Sequence, residues 1–221
     1  EVFHFANSYN QLKKLEFLDQ EDALTAENIE YFFDILVDDM PETKDSWVRE
    51  KYQRWSLQKG LTDIEKDDII ITSDLDEIPR ADAIAMIKED ENNYDKYVLV
   101  IPMFQYKINY MKIFDINKQP NIMVARARCY TDPQTEREFT FPWIPKPPNL
   151  VFIDHGGWHF TYFGDDEFAA NKLRNFAHAE SKHIAETVDI SYMLEHKLGF
   201  MGYASPERFE YVVVDDYFPR E

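Results

Sequence analysis

Residues 66–81 read KDDIIITSDLDEIPRA, and the fold follows from how this stretch is interpreted. Three consecutive β-branched residues, Ile69, Ile70 and Ile71, run into Thr72-Ser73 and then into Asp74, Asp76 and Glu77, with Pro79 closing the segment. An apolar run bounded by polar punctuation predicts a strand buried on both faces, as in the parallel or mixed sheet of an α/β protein. On an extended chain, residues two apart point the same way, so Asp74 and Asp76 are expected to aim their carboxylates at one point. Two bare carboxylates about 4 Å apart repel by roughly 4 kcal/mol at an effective dielectric near 20. Positive charge is therefore expected between them, and a hard divalent cation, which prefers oxygen ligands, is the simplest source. The acids also fall at the carboxyl edge of the sheet, where open α/β sheets bind ligands. The plainer alternative is a solvated loop cap, because Asp-x-Asp on its own occurs often by chance.

At 221 residues the chain suits one sizeable domain spanning 1–221. A hydrophobic content of 44% with 15% aromatic residues supplies a packed core and aromatic-lined pockets. The formal charge of −18 argues against nucleic-acid or anionic-membrane partners, which are bound through Lys and Arg. A phosphorylated substrate stays compatible if a metal and a few local cations neutralise it. The single cysteine, Cys129, excludes an internal disulfide and a cysteine-rich zinc site. No stretch approaches the roughly 20 apolar residues that span a bilayer, and the opening EVFH is no signal peptide, so a soluble chain is expected.

Outward from the central strand, residues 1–28 read as loop and short helix, and IEYFFDILV at 29–37 reads as a strand. Residues 43–60 predict a helix capped by Asp45 or Ser46, with Val48, Tyr52 and Trp55 on one face and Gly60 at its stop. Arg49, Glu50, Lys51 and Arg54 crowd that helix. They read either as a solvated, salt-bridged face or as the source of an arginine that neutralises a diphosphate. A helix over 81–89 and a strand over 97–103, interrupted by Pro102, come next. FQYKINYMKIF at 104–114 predicts a hairpin or flap carrying Tyr106, Asn109 and Tyr110; a strand over 122–130 follows. Residues 132–149 hold five prolines around Phe141 and Trp143 and predict an ordered loop, with loop packing as the plain role of the aromatics and sugar stacking as the sharper one. In DHGGWHFTYFG at 154–164 the glycines rule out a helix and allow close backbone approach to a ligand or a neighbouring chain. Asp165 or Asp166 should cap a helix to about His178, with Phe168, Leu173 and Phe176 in the core and Lys172 and Arg174 more exposed. Asp189 should cap a last helix ending at Gly199, before a strand over 209–214.

Taken in order, these stretches resemble glycosyltransferase family 17, whose best-known members add the bisecting β-1,4-linked N-acetylglucosamine to N-glycan cores. The resemblance rests on Trp47 with Arg49-Glu50 and Arg54, DIIITSDLDEIP at 68–79, and QYKINY at 105–110. It continues through GWHF at 157–160 to Lys172, Phe176, His178 and Glu180, and covers roughly residues 47–200. The tandem of DLDEIP and GWHF at this separation is specific, whereas either alone is weak. What the resemblance implies is a GT-A-like mixed sheet flanked by helices, a UDP-sugar donor, a glycan acceptor, and Mn2+ or Mg2+ held by the Asp-x-Asp acids. It implies Asp76 as a direct metal ligand, Asp74 on metal or donor ribose, and His159 as a third ligand with His178 as its rival. Donor contacts are expected from Asp74, Arg49, Arg54, Asn109, Trp158 and Lys172. The family's reaction inverts the anomeric carbon, so a carboxylate should deprotonate the acceptor hydroxyl. Glu77, Asp154, Asp165, Asp166 and Glu180 are the candidates, with Asp166 and Glu77 preferred.

The chain departs from the family pattern at its start: a first β-α-β portion that seats the nucleotide base is expected before Glu1. A fragment or a divergent member, bacterial or viral rather than Golgi-anchored, is the expectation. Two other readings compete. A haloacid-dehalogenase-like phosphatase also ends an apolar strand in Asp-x-Asp, but usually near the start of the fold and with Thr or Val where Ile78 stands. A non-catalytic carbohydrate-binding protein could retain the shell of the fold.

Overall fold

In the computed structural model, Ile69–Ser73 form strand β2, and all five residues are buried. Strand β1 (Val2–Ala6) pairs with it in parallel, Val2 opposite Ile69 and Ala6 opposite Ser73. Strand β7 (Asn121–Arg126) pairs antiparallel on its other edge, Ile69 opposite Arg126. The central strand is thus interior to a mixed sheet, which is why its apolar run is continuous rather than alternating. A parallel pair needs a crossover connection, and helix α1 (Ser46–Ser56) lies within the one joining β1 to β2. The strand at Val2–Ala6 corrects the expectation of loop and helix there. The structure describes residues 2–6, 42–43, 45–92, 94–113, 121–139, 145, 147–175, 179–199, 208–214 and 218. The expected strand at 29–37, along with Phe141, Trp143, Phe176 and His178, lies outside them.

The remaining elements are β3 (Glu77–Pro79), α2 (Ala81–Glu89), β4 (Lys96–Val100), β5 (Met103–Gln105) and β6 (Tyr110–Ile113). After β7 come α3 (Pro133–Glu138), β8 (Leu150–Ile153), β9 (Gly157–Thr161), α4 (Asp166–Asn175), α5 (Ile190–His196) and β10 (Arg208–Tyr211). Among the described residues the strands form two five-stranded sheets, ordered β1-β2-β7-β4-β8 and β10-β6-β5-β9-β3. The second is also mixed: β5 and β9 run parallel while β3/β9, β5/β6 and β6/β10 are antiparallel. The fold class is therefore mixed α/β, with helices flanking the sheets. Among the described residues, no helix is long and apolar enough to cross a membrane.

The chain divides into two compact units. The first comprises Glu1–Leu75, Tyr94–Lys96 and Met123–Leu150. In it Leu57 and Ile70 pack with Leu61, Ile64, Ala127 and Tyr130. Asp45 caps α1 by accepting the Trp47 N–H at 2.9 Å, as expected, but Val48 and Trp55 are exposed. The second unit comprises Asp76–Asn93, Tyr97–Ile122 and Val151–Glu221. Its core joins Tyr106, Tyr110 and Phe209 of the hairpin sheet to Ala169, Leu173, Ile184 and Met193, with Tyr110 and Phe209 stacked at 4.8 Å.

Three expectations are corrected. Residues 133–138 form α3 rather than loop, because Asp132 accepts the N–H groups of Gln134 and Thr135 and Pro133 fits the first helical position. Phe168 is 41% exposed, so α4 buries Ala169, Ala170 and Leu173 instead. Helix α5 ends at Lys197 in the left-handed conformation, φ 55°, before Gly199 is reached.

Candidate active site

The carboxylates of Asp74 and Asp76 do not extend β2. The strand stops at Ser73, Leu75 and Asp76 form a turn, and β3 begins at Glu77. Asp74 belongs to the first unit and Asp76 to the second.

In the first unit, Asp74 meets two guanidinium groups: Arg54 Nη2 lies 3.5 Å from Oδ1 and Arg137 Nη2 lies 3.2 Å from Oδ2. Arg54 is 7% exposed and is further held by Glu50 at 2.9 Å and Gln134 Oε1 at 3.1 Å. The four charged residues crowded on α1 thus separate. Arg54 turns inward to the acid, whereas Arg49 is exposed and donates to the Thr43 carbonyl at 2.7 Å. Arg137 lies on α3, in the stretch whose prolines predict loop, so the sequence pattern assigns it no role. The Asp132-Pro133 start, an N-cap followed by the residue favoured at N1, was the available signal. Helix α3 is in turn fixed by a buried pair, Lys96 Nζ to Glu136 Oε1 at 2.5 Å.

In the second unit, β3 and β9 bring the two sequence motifs together. Glu77 lies opposite His159, Ile78 opposite Trp158 and Pro79 opposite Gly157. The Phe160 N–H donates to the Asp76 carbonyl at 2.8 Å, which extends the pairing into the turn. Both glycines serve close approach of chain to chain: the Gly156 N–H donates to the Val100 carbonyl at 3.0 Å, and a Cβ on Gly157 would overlap the Ile78 carbonyl. This packing aims His159 Nε2 at Asp76 Oδ1, 3.4 Å away, while Lys172 Nζ sits 2.6 Å from Oδ2. Lys172 also donates to Thr161 Oγ1 at 2.8 Å and lies 4.9 Å above the Tyr162 ring. Tyr162 adopts φ 59°, a left-handed conformation that costs a non-glycine residue about 1–3 kcal/mol and turns the chain from β9 toward α4. Burial pushes the Asp76 carboxyl up, but the hydrogen bonds and charges of His159 and Lys172 outweigh it and hold the group well below the usual carboxylate range. Lys172, more exposed than the core face of α4 as expected, is a half-buried partner of Asp76, and Thr161 and Tyr162 join it.

The other expected site residues take distinct places. Trp158 is buried with Phe104 and Phe218 and stacks on Phe160, so its ring is core. Asn109 offers its carbonyl to Val212. Glu77 is buried, whereas Asp154, Asp165 and Asp166 are exposed. Asp165 caps α4 through the Phe168 N–H, and Asp166 accepts the Ile190 N–H at 2.9 Å.

Among the described residues, no three His, Cys, Asp or Glu side chains converge as a metal-holding group. Asp76 and His159 do form a fitting pair. Two donors about 2.1 Å from one ion, at roughly 90–110° to each other, lie about 3.0–3.4 Å apart. The 3.4 Å between Oδ1 and Nε2 matches that spacing. Among the described residues, His159 Nδ1 is buried without a hydrogen-bond partner. Mg2+-type sites use one or two protein carboxylates and complete their shell with water and substrate phosphate, so a sparse protein donor set suits them. The sequence model of glycosyltransferase family 17 matches residues 7–196. No curated protein and no solved structure matches the chain.

Proposed function

We propose, from the premise that this chain belongs to glycosyltransferase family 17, that it is a GT-A-type, metal-dependent, inverting enzyme. It moves a sugar, N-acetylglucosamine by analogy with the family, from a UDP donor to a glycan acceptor. Membership makes glycosyl transfer the function and implies a sugar donor and an acceptor. The observation that carries the finer reading is the single carboxylate of Asp76 flanked by His159 on one oxygen and Lys172 on the other.

Asp76 and His159 would hold Mn2+ or Mg2+, which neutralises charge gathering on the departing nucleoside diphosphate. Lys172 supplies an ammonium on a flexible stem, suited to a phosphate oxygen. The family resemblance assigns Asp74 to metal or donor ribose, and within its own unit Arg54 and Arg137 orient that carboxylate. Asp166 and Glu77 are the acids assigned to deprotonate the acceptor hydroxyl. Asp166 is the exposed one of the two, and so the more accessible to a bulky glycan.

Calorimetric titration of UDP, with and without Mn2+, tests the reading. The parent protein should bind UDP in a Mn2+-dependent manner, and Asp76→Ala should lose that binding while its circular dichroism is unchanged. Equal affinity in variant and parent overturns the assignment of Asp76.

A further inference from the structure

In this structure the ammonium of Lys172 does what a metal ion would do for Asp76. It lies 2.6 Å from Oδ2, and two further favourable partners, the Thr161 hydroxyl at 2.8 Å and the Tyr162 ring at 4.9 Å, keep it there. Lys172 comes from α4 and Asp76 from the turn before β3, 96 residues apart in sequence, so the meeting is made by the tertiary fold. An ammonium on one oxygen of a carboxylate and a divalent cation on the other repel each other at close range, with little water between to screen them. They coexist on Asp76 only if an anion lies against both.

Resting on the metal-and-diphosphate reading above, we infer that Lys172 is a placeholder cation that keeps free metal off Asp76 and makes metal binding depend on the nucleoside diphosphate. With no donor bound, Lys172 balances the carboxylate and disfavours a second cation. When the diphosphate arrives with its metal, a phosphate oxygen replaces Oδ2 as the partner of the ammonium, and Asp76 turns to the metal with His159. The four-carbon stem of lysine permits that move without a change in backbone, and the Thr161 hydroxyl can follow as a hydrogen-bond partner at either position. The enzyme would thereby avoid an idle metal-loaded state, and metal and diphosphate would bind with positive coupling. Linkage requires that coupling to be reciprocal: each ligand tightens the other by the same factor.

The test reads Mn2+ binding directly, from the electron paramagnetic resonance signal of the free ion, on the whole chain with and without UDP. In the parent protein, saturating UDP should tighten Mn2+ by at least tenfold, and saturating Mn2+ should tighten UDP by the same factor. Lys172→Met, which keeps the stem over the Tyr162 ring but removes the charge, should bind Mn2+ alone at least tenfold more tightly than the parent. In that variant the enhancement by UDP should shrink toward unity. If the parent binds Mn2+ equally well with and without UDP, the inference is overturned whether or not the variant folds. If Lys172→Met leaves Mn2+ affinity and coupling unchanged while Asp76→Ala abolishes both, the placeholder role is wrong and the metal site stands. If neither parent nor variant takes up Mn2+ under any condition, the metal reading fails and the inference falls with it.

Discussion

Replacing Lys96 by methionine should destabilise the protein by about 3–4 kcal/mol at pH 7, although Lys96 touches no proposed ligand. The Lys96 side chain is 7% exposed and that of Glu136 is 1% exposed. Glu136 Oε1 also accepts the Thr131 N–H at 3.0 Å and the Thr131 hydroxyl at 2.7 Å, while Oε2 is buried without a hydrogen-bond partner among the described residues. Methionine preserves the stem and its volume but leaves a buried carboxylate with no counter-charge, an arrangement that typically costs about 3–5 kcal/mol. Urea denaturation of parent and variant at pH 7 measures this. Because Glu136 sits in α3 beside Arg137, the variant should also loosen the contact of Arg137 with Asp74. A loss below about 1 kcal/mol at pH 7 would falsify the claim that this pair secures α3.

Gly157→Ala should destabilise by about 2 kcal/mol or more, since its Cβ would overlap the Ile78 carbonyl and force β3 and β9 apart; thermal denaturation checks it. A midpoint within a degree of the parent's would show that the strands adjust freely. The tyrosines titrate unequally: burial pushes up the hydroxyls of Tyr110 and Tyr130, with the Tyr211 charge adding to the first. Both should stay protonated when ordinary tyrosines ionise near pH 10, and stability should fall as pH rises beyond that value, because the unfolded chain releases protons the folded chain keeps. Absorbance at 295 nm followed through alkaline titration should show a delayed fraction that appears only with unfolding. A single transition near pH 10 with the fold intact would contradict this.

Local chemistry made several features legible in advance. The continuous apolar run Ile69–Ile71, the Asp45 and Asp189 caps, the helix over 81–89 and the glycine pair before Trp158 depend on residues close in sequence, and the structure has each of them. Elements whose cause lies elsewhere in the chain were harder to read. Val2–Ala6 is a strand because β2 offers it a parallel edge, and α3 was masked by the prolines that follow it.

The sequence by itself determined which acids stand at the end of the buried strand, and that a tryptophan–histidine segment follows far downstream. Only the tertiary structure decided what those acids meet. Within the first unit Arg54 and Arg137 neutralise Asp74; within the second Lys172 neutralises Asp76, with His159 beside it. Side chains supply positive charge at both acids. A strand pattern specifies only the face on which a side chain emerges; a charge pair between residues 63 or 96 positions apart exists only when packing brings the two together.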